Sequence, residues 1–171
     1  MKKSLVLLLI SSLVSGLYAR QPRTVVEPPF AFRNSGTLEI KRIELAPEST
    51  TVYIQAYFRP HNWIRISSET YIRAGAEGEK LTVRSADGMP LDTEFYMPET
   101  GRHDFSLSFP PVDPKTAKID LIESDCPDCF KIYDIDLTGK KAKPGRSALA
   151  KKYKKTVPLT ENFTAPIVSD S

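Results

Sequence analysis

A stretch of alternating side chains between residues 52 and 59 constrains the fold of this chain more than any other feature. Its apolar members occupy every second position, and they are Val52, Ile54, Ala56 and Phe58. Successive side chains of a β-strand point to opposite faces, so this spacing predicts a half-buried strand. The segment Pro60–Asn62 interrupts the strand, because proline cannot donate to a β-ladder and asparagine favours turns.

A second short strand is predicted immediately after this bend, from Trp63 to Ile66. Trp63 is the only tryptophan in the chain. A large aromatic ring in this position is expected to fill the space between two sheets, with an exposed ligand-stacking role as the alternative. The predicted core therefore includes Val52, Ile54, Phe58, Trp63, Phe105 and Leu107.

Short apolar segments separated by turns continue through the body of the chain. Further strands are predicted at Leu38–Leu45, Tyr71–Arg73, Leu81–Arg84, Phe95–Met97, Phe105–Phe109, Ile119–Leu121 and Phe130–Leu137. Turn signals recur about every ten residues and no long helical pattern is present, which is typical of an all-β protein. The predicted fold is an antiparallel β-sandwich, immunoglobulin-like in architecture, with seven to nine short strands; a barrel is the alternative. The Cys…Trp…Cys spacing of a true immunoglobulin domain is absent.

Three local features of these strands can be predicted as well. A change of phase near Lys41 and Arg42 indicates a β-bulge in the first strand. The segment Ala86–Gly88 is expected to be a turn. The turn Pro98–Gly101 should join Phe95–Met97 and Phe105–Phe109 into a hairpin.

The first 36 residues are predicted to contain a leader and an extended segment. Two lysines, an apolar run from Leu5 to Ile10 and a region of small residues ending at Ala19 are typical of a secretory signal peptide, residues 1–19. Cleavage is expected after Ala19, with Gly16 as the alternative. The apolar run is shorter than the about 20 residues of a membrane anchor, so the mature chain is expected to be periplasmic or secreted, without a transmembrane segment. Residues 20–36 contain three prolines, so no regular element is expected before Thr37.

The formal net charge of +3 conceals an acidic body and a basic tail. Residues 24–137 hold 12 Lys and Arg against 19 Asp and Glu, a net charge of −7, whereas residues 138–171 hold 8 against 2, a net charge of +6. This division argues against nucleic acid as a partner. The tail, 138–171, follows the predicted sandwich domain, 37–137, and its composition predicts that it is mostly disordered. It is interpreted as a solvated linker, with weak contact to an anionic surface as the alternative.

The pair Cys126 and Cys129 is the motif with the clearest chemical meaning. Two thiols three positions apart can form a local disulfide, act as a redox couple or provide half of a metal site. Glu123, Asp125 and Asp128 flank the pair, and carboxylates raise a thiol pKa, which disfavours redox catalysis. A structural disulfide is the preferred interpretation in an exported chain.

Other catalytic or cofactor sites are weakly indicated. His61 and His103 would complete four zinc ligands with the two cysteines, but they are distant in sequence and each is expected in a loop. No nucleophile elbow or phosphate-binding loop is present, and no cofactor is predicted. The carboxylates alternate on strand exteriors and are interpreted as a solvated face.

Four phrases carry a resemblance to a known kind of protein segment. They are TLEIKRIEL, AYFRPHNWIRISSETYI, FYMPETGRHDFSLSF and IESDCPDCFKIYDIDLTG. Over residues 25–139 the chain resembles a segment near the N-terminus of exported bacterial proteins, some of which continue into a thioredoxin-like (redoxin) domain. The present chain shows no redoxin domain and no WCxxC motif, so the resemblance implies a module and transfers no catalytic residue.

Two functions from different classes follow from these observations. The first is a non-catalytic exported β-sandwich with an accessory or interaction role and an unknown protein partner in the cell envelope, because no motif supplies nucleophile, base and stabiliser together. The alternative is a thiol–disulfide or metal-binding role centred on Cys126 and Cys129.

Overall fold

The computed structural model describes residues 22–139, which form twelve β-strands and no helix. The strands are β1 (Arg23–Val26), β2 (Phe32–Arg33), β3 (Leu38–Leu45), β4 (Thr50–Tyr57), β5 (Trp63–Ile64), β6 (Tyr71–Arg73), β7 (Leu81–Thr82), β8 (Ser85–Asp87), β9 (Phe95–Tyr96), β10 (Arg102–Phe109), β11 (Lys118–Ile122) and β12 (Lys131–Asp136). The count exceeds the seven to nine expected, because several strands have only two or three residues. In this part of the chain no helix is long and apolar enough to cross a membrane.

The strands form two five-stranded antiparallel sheets and one two-stranded ribbon. The first sheet has the order β1-β3-β4-β10-β8 and the second has the order β2-β12-β11-β6-β7. Strands β5 and β9 form the ribbon. The predicted all-β, antiparallel class is therefore confirmed.

One hydrophobic core lies between the two five-stranded sheets. Val52, Ile54 and Leu107 of the first sheet belong to the same buried cluster as Ile119 and Ile135 of the second. Alternation along β4 and β10 places Val52, Ile54 and Leu107 on the inner face of the first sheet, while their polar neighbours face outward. Two antiparallel sheets that share a core in this way form a β-sandwich.

The chain crosses between the two sheets at both of their edges. At one edge the chain passes from β1 in the first sheet to β2 in the second. At the other edge it passes from β7 in the second sheet back to β8 in the first. The expectation that no regular element precedes Thr37 is therefore wrong. Val25 is buried on β1 although prolines follow, because Pro28 and Pro29 lie in the crossing segment and not in a ladder.

The predicted hairpin between Phe95–Met97 and Phe105–Phe109 is also wrong. The turn is present, since Gly101 N donates to Pro98 O at 2.9 Å. However, β9 pairs with β5, whereas β10 pairs with β4 and β8. The alternating apolar side chains of β10 can be buried only between the two sheets. This requirement outweighs pairing with the neighbouring strand β9.

Two smaller predictions have opposite outcomes. The bulge near Lys41 and Arg42 is confirmed, because the β3–β4 register shifts between Ile40 and Arg42. The predicted turn at 86–88 is wrong for its first two residues, which belong to β8 and pair with β10. Only Gly88, with a φ of +84°, has the backbone conformation of a turn glycine.

Several predicted segments lie outside the described residues. They are the signal peptide, 1–19, and all of the basic tail beyond Gly139.

Candidate binding site

A groove of about 540 Å³ is lined by both Trp63 and the cysteine pair, Cys126 and Cys129. One wall is the segment 62–66, which includes β5. The lining also includes Cys126, Asp128, Cys129 and Phe130 from the loop between β11 and β12, and residues near the start of β3. We call this the Trp63 groove. Its lining combines aromatic, aliphatic and charged side chains.

Trp63 is not in the core, contrary to the prediction. Its side chain is 48% exposed, whereas Ile64 and Ile66 on the same segment are buried. Alternation explains this directly, since Trp63 must face away from the side on which Ile64 and Ile66 lie. Of the other predicted core residues, Val52, Ile54, Phe105 and Leu107 are buried, and Phe58 is half-buried against the core.

Tyr96 extends the exposed aromatic surface of Trp63. Trp63 and Tyr96 are directly opposed in the β5–β9 ladder, so their side chains lie on the same face of the ribbon. Tyr96 is 61% exposed. Arg65 follows Trp63 by two positions, which places it on the same face, and it is also exposed. We call Trp63, Arg65 and Tyr96 the aromatic patch.

The structure joins Cys126 and Cys129 in a disulfide that forms part of the groove wall. Cys126 is exposed, whereas Cys129 is 8% exposed. Among residues 22–139 there is no free cysteine. The bond therefore has one residue accessible from solvent and one packed against the protein.

Asn34 fixes the C-terminal end of the disulfide loop. Its side chain is fully buried, and Nδ2 donates to Cys129 O at 2.9 Å while Oδ1 accepts from Lys131 N at 2.6 Å. A buried amide with both groups bonded to backbone is a strong positional constraint. The sequence places Asn34 in a proline-containing segment, and nothing in that segment indicates this long-range contact.

Glu123 fixes the same loop from its other end. Glu123 N donates to Phe130 O at 3.1 Å, and the Glu123 carboxylate accepts from Phe130 N at 3.2 Å. Burial raises the pKa of Glu123. The hydrogen bonds that its carboxylate accepts from Phe130 N and Ser67 N, and the charge of Arg65, lower this pKa by smaller amounts. The loop is thus closed by hydrogen bonds outside the disulfide as well as by the disulfide itself.

The charges around the disulfide differ from the all-acidic surroundings inferred from sequence. Lys131 Nζ donates to Cys126 O at 2.5 Å, and Asp125 is paired with Lys80 at 3.1 Å. Burial lowers the pKa of Lys131, although the nearby carboxylates act in the opposite direction. The hydrogen bond from Lys80 lowers the pKa of Asp125. Two cations, Lys131 and Lys80, therefore contact the loop, although its flanking residues in sequence suggested only carboxylates.

The two histidines are not brought together with the cysteines. His61 is exposed and its Nε2 lies 2.7 Å from a Glu99 carboxylate oxygen. His103 lies on β10, not in a loop; its ring stacks on Phe95 at 4.1 Å, and Nε2 donates to Gly88 O at 2.7 Å. In the described part of the chain no three His, Cys, Asp or Glu side chains form a group suited to a metal ion.

Comparison with known proteins adds no assignment to this geometry. No protein-family model, curated protein or solved structure matches the chain.

Proposed function

We propose that this chain is a non-catalytic exported β-sandwich that binds a protein partner in the cell envelope through the aromatic patch and the adjoining groove. The observation that carries this proposal is the exposure of Trp63 and Tyr96 side by side on one face of the ribbon. Large aromatic side chains are normally buried, so an exposed pair next to a groove is typical of a binding surface.

The composition of the aromatic patch supports a protein as the partner. Trp, Tyr and Arg are the residue types most concentrated among those that dominate binding energy in protein interfaces. Trp63 and Tyr96 provide large, stiff apolar surfaces, and the guanidinium of Arg65 provides fixed hydrogen-bond donors. The signal-like leader, Met1–Ala19, supports an envelope location for this interaction.

The proposal is tested by capturing partners from envelope extract with the full chain and quantifying them by mass spectrometry. Trp63→Ala and Tyr96→Ala should each lose the specifically captured protein while remaining folded, because both side chains are exposed. Val26→Ala is the matched control, since Val26 is a 68% exposed apolar residue on β1, outside the patch. Capture of the same proteins by all variants would contradict the proposal.

The alternative function is thiol–disulfide exchange at Cys126 and Cys129. It is favoured by the exposure of Cys126 in a groove and by the nearby Lys131 ammonium. Insulin reduction by the purified protein, abolished in Cys126→Ser, would support this alternative. If the bond is structural, no such activity will be seen, and the double Cys126→Ser/Cys129→Ser variant will stay folded and lose about 1–2 kcal/mol, because a loop this small restricts the unfolded chain only weakly.

A further inference from the structure

The outer face of the second sheet is buried, whereas the outer face of the first sheet is not. Strands β4 and β11 are each the middle strand of a five-stranded sheet. Every outward side chain of β4 is half-buried. On β11, Asp120 and Ile122 alternate with the core residues Ile119 and Leu121 and therefore point outward, yet they are only 3% and 2% exposed. The outer face of the second sheet is therefore covered.

This outer face carries an apolar cluster that is separate from the sandwich core. Its members are Phe32, Tyr71, Ile122 and Tyr133, and none is more than 9% exposed. Tyr71 lies opposite Ile122, and Phe32 lies opposite Tyr133, so each pair shares one face of the sheet. The outer face of an antiparallel sheet is normally polar, so these side chains indicate packing against a further layer. We call them the outer cluster.

The strands of residues 22–139 do not provide this further layer. At one end of the outer cluster, Lys80 Nζ lies 4.6 Å from the centroid of the Tyr71 ring and covers it. At the other end, Phe32 and Tyr133 are also buried. All twelve strands belong to the two sheets and the ribbon, and Ile64 of the ribbon packs in the sandwich core. The cover over Phe32 and Tyr133 must therefore come from elsewhere.

An unpaired carboxylate beside the outer cluster indicates the charge of the cover. Asp134 follows Tyr133 where the β11–β12 register shifts, and its N–H donates to Asp120 Oδ1 at 3.0 Å. Asp120 also pairs with Arg73 at 3.2 Å. Asp134 Oδ2, in contrast, is buried and has no hydrogen-bond partner among residues 22–139. A buried carboxylate oxygen without a partner is costly, so a cation is favoured at this position.

We propose that the basic tail beyond Gly139 packs across the outer face of the second sheet and covers the outer cluster. Leu149 and Tyr153 are the large apolar residues among the tail lysines, and they contact Phe32 and Tyr133. A lysine of the same segment pairs with the Asp134 carboxylate. The tail then forms part of the fold, in place of the solvated linker that its composition predicts.

Connectivity, reach and charge all favour the tail as the cover. Strand β12 belongs to the second sheet and ends at Asp136, so the tail begins beside this sheet. The ten residues from Gly139 to Leu149 can extend about 33 Å, more than the about 19 Å across five strands. The tail has a net charge of +6 and the body, residues 24–137, a net charge of −7. The two segments therefore attract each other.

Two other occupants fit this face less well. The leader, residues 1–19, joins the fold through β1, which lies in the first sheet, and it is predicted to be removed on export. A second copy of the chain would place another acidic body against this one. The Trp63 groove and the aromatic patch take no part in the contact, so this inference is independent of the proposed function.

Hydroxyl-radical footprinting of the mature full chain, read by mass spectrometry, tests the proposal. Phe32 and Tyr133 should be protected in wild type, whereas the exposed Tyr96 is modified and calibrates the dose. The double variant Leu149→Asp/Tyr153→Asp should raise modification of Phe32 and Tyr133 about tenfold, because the added charges prevent apolar contact with the outer cluster. Val168→Asp, the same kind of change outside the lysine-rich part of the tail, should leave both protected.

Unchanged protection of Phe32 and Tyr133 in the double variant would overturn the proposal, since that variant alters no residue of the sandwich. Circular dichroism checks that the variant keeps its strands.

A photoreactive benzophenone side chain at position 153 locates the contact independently. It should form crosslinks to β2 or β12 within one molecule, and the same group at position 168 should not. Crosslinks that join two molecules would assign the cover to a second copy and would also overturn the proposal. Partner capture through Trp63 and Tyr96 is measured separately, so the failure of one proposal is distinguishable from the failure of the other.

Discussion

Leu107 is buried, as its hydrophobicity predicts, whereas Trp63 is exposed in spite of its hydrophobicity. Both are large apolar side chains on strands. Leu107 is fully buried between Val52 and Ala86, its partners on the two neighbouring strands, whereas Trp63 is 48% exposed. The two side chains differ because Leu107 lies on the inner face of its strand, whereas alternation with the buried Ile64 and Ile66 places Trp63 on the outer face of its segment.

Leu107→Ala should destabilise the protein by about 2–5 kcal/mol, because it removes buried methyl groups and leaves a cavity in a closely packed core. Urea denaturation monitored by circular dichroism measures the loss. Val26→Ala, at an exposed position, should change the free energy of unfolding by less than about 0.5 kcal/mol. Similar values for the two variants would show that Leu107 is not a core residue.

Glu123 should make stability depend on pH. Burial raises the pKa of its carboxyl group, so the folded protein holds this proton more tightly than the unfolded chain does. The resulting stabilisation is fully present below the unfolded pKa and is lost as pH rises through the folded pKa. Wild type should therefore lose stability relative to Glu123→Gln over a pH range that begins near the unfolded Glu pKa of about 4 and extends upward.

Urea denaturation across this pH range measures that difference, with Glu48→Gln at an exposed position as the control. A stability difference between wild type and Glu123→Gln that does not change with pH would contradict the prediction.

At the level of elements, the β5–β9 ribbon is the part of the fold that local sequence patterns describe least well. Its strands have two residues each and are separated by more than thirty positions in sequence. Such short segments carry too little periodicity to reveal a partner, so the sequence suggested the nearer strand β10 for β9. The β3 bulge was predictable because a change of phase is visible within a single long strand.

The turn between β8 and the following segment provides a test of backbone geometry. Gly88 has a φ of +84°, and a Cβ there would lie 3.0 Å from Asp104 O and 3.3 Å from Phe105 Cα. Gly75 has a φ of +74° with open space around it. Gly75→Ala should cost about 1–2 kcal/mol for the left-handed conformation alone, and Gly88→Ala should cost more because of the added contacts. Equal losses in thermal or urea denaturation would contradict this ranking.

At the scale of the whole molecule, residues 22–139 form a sandwich whose two sheets are linked by crossing segments at both edges. The segment between β1 and β2 and the segment between β7 and β8 tie the first sheet to the second. The edge strand β1 begins at Arg23, close to the predicted end of the leader. Cleavage beyond Arg23 would therefore remove part of an edge strand.

We predict that the chain is exported and that the mature protein begins at Arg20, which would leave β1 intact. N-terminal sequencing and intact mass of protein recovered from the periplasm or medium of an expressing bacterium measure the cleavage site. Leu8→Arg interrupts the apolar run of the leader and should keep the protein uncleaved in the cell. A mature chain that starts after Arg23 would remove part of β1 and contradict the prediction.

The sequence alone determined the all-β class, most of the strands and the inward faces of β4 and β10, because a period of two is encoded in consecutive residues. It also marked Trp63 and the cysteine pair as unusual. Only the tertiary structure decided that β9 pairs with β5, that Asn34 and Glu123 hold the disulfide loop, and that this loop and Trp63 line the same groove. These contacts join residues up to 97 positions apart, and they are selected by the burial of the whole core, which no local pattern records.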